Sequence, residues 1–145
     1  MRVIGLDVGE RRIGVAISDP DERLAVPLQV LERRGPRRDV AAVAELAERE
    51  SAGRIVLGLP LSLSGEEGPQ AREVRRFGQA LAAALPVPVE YWDERLSTVE
   101  ADRLLAAAGE RGRRRRGWRD AVAASIVLQA YLDAHRGRVQ DGEQR

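Results

Sequence analysis

Apolar residues open the chain in two short blocks, Val3-Ile4-Gly5-Leu6 and Ile13-Gly14-Val15-Ala16-Ile17, separated by a polar Gly9-Glu10-Arg11. The pattern predicts strands over 2–8 and 12–18 joined by a tight turn. Ala25–Leu31 reads as a third strand, and Pro27 restricts it to a sheet edge because proline cannot donate to a ladder. Pro36 followed by Val40, Val43, Ala44, Leu46 and Ala47 gives a helix start and an apolar helical face. Arg54–Leu59 is a continuous apolar run ended by Pro60, the pattern of a buried parallel strand. A Ser/Gly/Glu loop over 62–68 leads to a helix over Pro69–Leu85 and a strand over Val87–Trp92, whose Pro88 again predicts an edge. Ser97-Thr98-Val99-Glu100 is a capping box opening a helix to about Ala108. The polar, Arg-rich stretch Gly109–Gly117 precedes a nearly all-apolar helix over Ala121–Ala134, which must pack into the core.

A β-β-β-α-β-α-β-α-α order predicts an α/β fold. Its five-stranded mixed sheet has three antiparallel strands, then two parallel ones, with helices on both faces. The two proline-bearing strands fall at opposite edges. No repeat or linker divides the chain, so one domain over 1–135 with a frayed polar tail over 136–145 is expected.

Composition narrows the chemistry. The 145 residues include no Cys and one His, which excludes a disulfide framework, a zinc-thiolate site and a thiol nucleophile. Ser-His catalysis and multi-His metal sites are nearly excluded with them. The first strand begins at once and no apolar run approaches the ~20 residues of a membrane span, so a soluble cytoplasmic protein is expected. Net charge is +1, yet all 24 basic residues are Arg. They cluster at 33–38, at 72–76 and, most densely, at 111–119. Guanidinium groups bind phosphate bidentately, and the last cluster suits a polyanion. The first two read more simply as solvated surface.

Asp7 is the most informative residue. A carboxylate inside a strand that wants burial on both faces costs several kcal/mol unless something pairs with it. Glycines at 5, 9 and 14 leave room for a ligand to approach. Asp93 and Glu94 follow the last strand, and Asp120 opens the final helix. Strands one, four and five should run parallel, bringing Asp7 and Glu94 to the carboxyl end where ligands bind in open α/β sheets. Asp120 joins them if the last helix packs against strand one. Such a triad repels itself unless a divalent cation compensates, and oxygen ligation selects Mg²⁺ or Mn²⁺. With no protein nucleophile in view, hydrolysis would use a metal-activated water. Each acid also has a plain reading. Asp120 suits a first helical turn, and Asp93 or Glu94 could simply pair with Arg95. Trp92 fits core packing, and His135 fits the surface.

Four motifs in order resemble the YqgF family of ribonuclease H-like proteins, also described as RuvX-type or Holliday-junction-resolvase-like. They are Gly5-Leu6-Asp7-Val8-Gly9 with Arg12-Ile13-Gly14-Val15-Ala16, Val56-Leu57-Gly58-Leu59-Pro60-Leu61, Asp93-Glu94-Arg95-Leu96-Ser97-Thr98-Val99-Glu100-Ala101, and Asp120 with its following helix. The resemblance spans roughly residues 2–134. It implies a ribonuclease H-like fold, metal-dependent phosphodiester hydrolysis and a link to 5′-end maturation of pre-16S rRNA. The family's metal-binding acids carry over to Asp7, Glu94 and Asp120. Glu10 and Arg11 stand where the family usually has a small or hydroxyl residue and a Lys.

The expected activity is a nuclease on structured RNA, using Mg²⁺ or Mn²⁺ at Asp7, Glu94 and Asp120. Arg12, Arg95, Arg113, Arg114, Arg115, Arg116 and Arg119 are the expected phosphate contacts. A Holliday-junction resolvase on DNA and a non-catalytic nucleic-acid-binding module are the alternatives. A monomer or homodimer suits either.

Overall fold

In a computed structural model, residues 1–96 and 117–143 are described, with side chains as far as Arg136. The elements are β1 (Arg2–Val8), β2 (Arg12–Ser18), β3 (Ala25–Glu32), α1 (Pro36–Arg49), β4 (Ala52–Leu59), α2 (Pro69–Ala84), β5 (Val89–Asp93), a 3-10 turn (Glu94–Leu96) and α3 (Trp118–Glu143). They form one sheet in the order β3-β2-β1-β4-β5. β1–β2 and β2–β3 are antiparallel, and β4 is parallel to both β1 and β5. The strands predicted at the edges are at the edges. The capping box at 97–100, its helix to 108 and the Arg run over 111–116 lie outside the described residues.

Alternation along the strands divides the core in two. Ile4, Leu6 and Val8 meet Val43, Leu46, Phe77 and Leu81 of α1 and α2 on one face. Val3, Ala16 and Val56 meet Ala124, Leu128 and Tyr131 of α3 on the other. Each large aliphatic side chain removed from water this way contributes about 1.5–3 kcal/mol.

Prolines set the local departures from the expected boundaries. In the β2–β3 ladder Val15 pairs with Gln29 and Ala16 with Pro27, so Leu28 is an extra residue beside a position that cannot donate. Pro88 lies outside β5, and its carbonyl accepts the Ile55 N–H at 3.0 Å. α3 begins at Trp118 and continues to Glu143, well past Ala134, so the boundary expected for a polar tail falls inside a helix. Arg, Gln and Glu are good helix formers without needing burial, and an apolar pattern therefore understates helix length. Gln129 on α3 clasps the β2–β3 turn, accepting the Ala25 N–H at 2.8 Å and donating to the Arg23 carbonyl at 2.9 Å.

Candidate active site

Asp7 points to the α3 face of the sheet, together with Val3 and Gly5. Its antiparallel partner is Gly14, while the Leu6–Leu57 parallel pair brings Gly58 alongside on the other flank. Both glycines are occupied from above. A Cβ at Gly14 would fall 1.9 Å from the Asp120 carbonyl oxygen, and one at Gly58 would fall 2.7 Å from Glu94 Oε1. Asp7 thus stands between two bare backbone positions, each roofed by the residue of another candidate acid.

This corrects one expectation. Gly5 and Gly14 do not hold space open for a ligand. Leu128 Cβ and the Ala124 carbonyl fill the space at Gly5, and the first turn of α3 fills it at Gly14. Their absent side chains let a helix lie against the sheet. Gly58, conspicuous in the sequence only as part of a motif, is the glycine that admits an acidic side chain.

The electrostatics follow from this crowding. Asp7 is pushed up from 3.8 to about 7, first by burial, then by the charge of Glu94 and a hydrogen bond with it, and last by Asp120. Burial also raises Glu94, and the neighbouring Asp93 charge adds to it, while the hydrogen bond to Asp7 pulls it down. Asp120 is raised by burial, opposed by the Arg12 guanidinium and reinforced by Glu32. The acids that could have been ordinary ion pairs are now separable. Asp93 is the one Arg95 takes, with Nη2 and Nε bonded to its carboxylate, and it is held below the usual range. Glu94 turns instead to Asp7.

α3 packs against β1, as Asp120 needs in order to approach Asp7, and also crosses β2 and β3. Asp120 therefore sits over β2, one strand from Asp7, near Arg12 and Glu32. Among the described residues no three Asp, Glu or His side chains are drawn tightly enough together to hold one ion. The donor chemistry nonetheless fits a hard divalent cation. Asp7 and Glu94 offer only carboxylate oxygens, have no ion pair among the described residues, and have the Asp120 backbone pinned beside them at Gly14.

Of the expected phosphate contacts, Arg12 bonds Glu32 at 3.2 Å and lies across Gly117. Arg95 also donates to the Leu63 carbonyl at 3.2 Å, tying the loop after β4 to the end of β5. Arg119 is exposed. Arg113, Arg114, Arg115 and Arg116 lie outside the described residues. Trp92 packs edge-on to Tyr131, as core packing requires. His135 is not a free surface residue: its ring stacks on Tyr131 with centroids 4.0 Å apart, and its Nδ1 lies 2.8 Å from the Tyr131 carbonyl.

Comparison with known proteins identifies the family and the fold. The model of the RuvX family, described as Holliday junction resolvase, matches residues 1–134. A Chloroflexus aggregans protein named "Putative pre-16S rRNA nuclease" is 50% identical over 134 residues, covering 92% of this chain and 94% of its own. One of the same name from Myxococcus xanthus is 47% identical over 136 residues, covering 94% and 90%. Among solved structures, Thermus thermophilus RuvC in complex with a Holliday junction substrate superposes with a TM-score of 0.60 at 21% identity, covering 94% of this chain and 96% of that one. The Fowlpox virus resolvase with Holliday junction DNA gives 0.60 at 11% identity, covering 92% and 98%. The shared architecture is the RuvC-like ribonuclease H fold.

Proposed function

Because this chain belongs to the RuvX family, we propose that it is a divalent-metal-dependent nuclease that hydrolyses phosphodiester bonds at the end of the sheet marked by Asp7. Its proposed substrate is pre-16S rRNA, which its relatives' names carry, and its proposed role is 5′-end processing in the cytoplasm. Among the described residues no helix is long and apolar enough to cross a membrane.

The observation that carries this reading is the approach of Asp7 and Glu94, with Glu94 Oε1 over Gly58 beside Asp7 and the Glu94 charge adding to burial in raising Asp7. Two half-buried carboxylates so close together are costly for folding alone and useful to a protein that must capture a cation. Ligation by both would require both to be ionised. Asp120, whose backbone is held at Gly14, would be the third ligand. Arg12, which pairs with Glu32, and the exposed Arg119 would take the phosphates flanking the scissile bond. Bound Mg²⁺ or Mn²⁺ would supply an activated water and stabilise the leaving oxygen.

The test is Mg²⁺- or Mn²⁺-supported cleavage of a pre-16S leader fragment by the wild type, Asp7→Asn and Glu94→Gln. Loss in both variants supports the assignment, and equal activity in Asp7→Asn removes Asp7 from the mechanism. A second reading, resolution of DNA four-way junctions, is favoured by the family's description. Competition between a four-way junction and the RNA fragment decides between them. Tight, salt-sensitive binding with no cleavage of either would instead indicate a non-catalytic module.

A further inference from the structure

Four arginines gather at the carboxyl end of the sheet without an ion pair among the described residues: Arg11 in the β1–β2 turn, and Arg34, Arg37 and Arg38 where β3 gives way to α1. All four are exposed. Several arginines elsewhere are neutralised, Arg2 by Glu50, Arg75 by Glu67, Arg76 by Glu73 and Arg95 by Asp93, and the others without an ion pair, such as Arg23 and Arg72, stand apart instead of in a cluster.

The corner that carries them is held firmly. Arg33 Nε bonds Asp39 Oδ2 at 3.2 Å, its Nη1 donates to the Gly9 carbonyl at 2.9 Å, and its guanidinium lies 5.6 Å from the Phe77 ring centre. The other Asp39 oxygen accepts the Arg34 N–H at 2.9 Å, and the Arg33 N–H reaches the Arg11 carbonyl at 2.9 Å. Asp39 is almost fully buried. Through these bonds the corner is fastened to the turn that follows Asp7, so its free charges keep a fixed relation to the acids.

Folding alone disfavours this placement. Arg37 and Arg38 occupy the first turn of α1, where the helix dipole favours acids, and Gly35 offers no side-chain cap. The one acid in that turn, Asp39, is turned inward to Arg33, so the exposed charges are like-signed and a polyanion would relieve them. We propose that Arg11, Arg34, Arg37 and Arg38 form a phosphate-contacting arm that takes the backbone of a nucleic-acid strand and fixes its register over Asp7 and Glu94. The polyanion's identity rests on the nuclease reading above, but the contact itself does not. Phosphate contacts carry no base or sugar information, so RNA and DNA share the chemistry.

The experiment is fluorescence anisotropy of the full chain in EDTA, which prevents cleavage, with a labelled RNA hairpin and a labelled DNA four-way junction over a salt series. Arg34→Ala/Arg37→Ala/Arg38→Ala should reduce the slope of log K against log salt by about 2–3, at roughly 0.7–0.9 per lost contact. Arg11→Ala should reduce it by about one such contact. Arg49→Ala, at the far end of α1, should leave it unchanged. A change confined to one nucleic acid assigns the arm to that one. Unchanged slopes with both probes, or an equal loss per charge in Arg49→Ala, overturn the proposal. Absent cleavage with altered slopes would sink the nuclease reading and leave the arm standing. Intact cleavage with unchanged slopes would do the reverse.

Discussion

The carbonyl of Asp120 rests on the α-carbon of Gly14, so close that a methyl group at position 14 would fall 1.9 Å from the oxygen. This is backbone against backbone, with no flexible side chain to yield. It fixes the first turn of α3 over the strand paired with Asp7, and so decides where the third acid begins.

Gly14→Ala therefore has to lift the head of α3 from the sheet. Overpacking of this kind costs about 1–3 kcal/mol, measurable by urea unfolding. Moving Asp120 by even an ångström should lower cleavage by roughly 100-fold. Unaltered stability would mean the helix start is not held against β2.

Gly58→Ala meets a different obstacle, the tip of Glu94, at 2.7 Å. A side chain can swing aside where a backbone cannot. The variant should lose less than about 1 kcal/mol of stability, below the usual range for overpacking, yet fall in cleavage as Gly14→Ala does. Comparing the two variants separates positioning of Glu94 from integrity of the fold.

The raised Asp7 makes stability depend on pH. Its ordinary value is 3.8 and its folded value about 7, so the folded state binds a proton that the unfolded chain has already released across that interval. The contribution is fully present below the lower value and is lost as pH rises through the upper one. In metal-free protein, wild type should weaken relative to Asp7→Asn by on the order of a few kcal/mol between about pH 4 and 7. Denaturant titrations in EDTA check this. Mg²⁺ should stabilise wild type more at pH 8 than at pH 5, since ligation needs the ionised acids. A constant difference between the two proteins across that range would contradict the buried pair.

Asp39→Ala would strip the partner from Arg33 and the acceptor from the Arg34 N–H. Breaking a fully buried pair costs about 3–5 kcal/mol, and because Arg33 reaches solvent a loss on the order of 2 kcal/mol is expected. Thermal unfolding checks the size. Binding should weaken as well, since the Arg34 backbone and the Arg33 guanidinium would lose the carboxylate that holds them in the β3–α1 corner. Stability within 0.5 kcal/mol of wild type, the range typical of plain surface changes, would mean that Arg33 is held without Asp39.

Much of this was legible before any coordinates. Proline marked both edge strands, and the apolar run at Arg54–Leu59 marked the buried parallel one. Asp7 announced itself as an acid where only apolar residues belonged. Less legible was the purpose of the glycines, since a missing side chain looks the same whether a ligand or a helix takes its place. Arg33 read as one more solvated charge beside Arg34, and only its contacts with Asp39, Gly9 and Phe77 distinguish it. His135 likewise gave no sign of the Tyr131 ring beneath it.

Order, direction and edge position of the strands follow from local rules: period-two burial, the missing proline N–H and the length of each crossover all act within a few residues. Which acid meets which is not local. Asp93 and Glu94 are adjacent and chemically alike, yet the end of β5 turns one toward Arg95 and the other over Gly58 to Asp7. That choice, and the depth at which α3 settles on Gly14, depend on close packing between segments distant in the chain. Differences of an ångström or two, invisible to residue spacing, separate a surface ion pair from a close pair of half-buried acids.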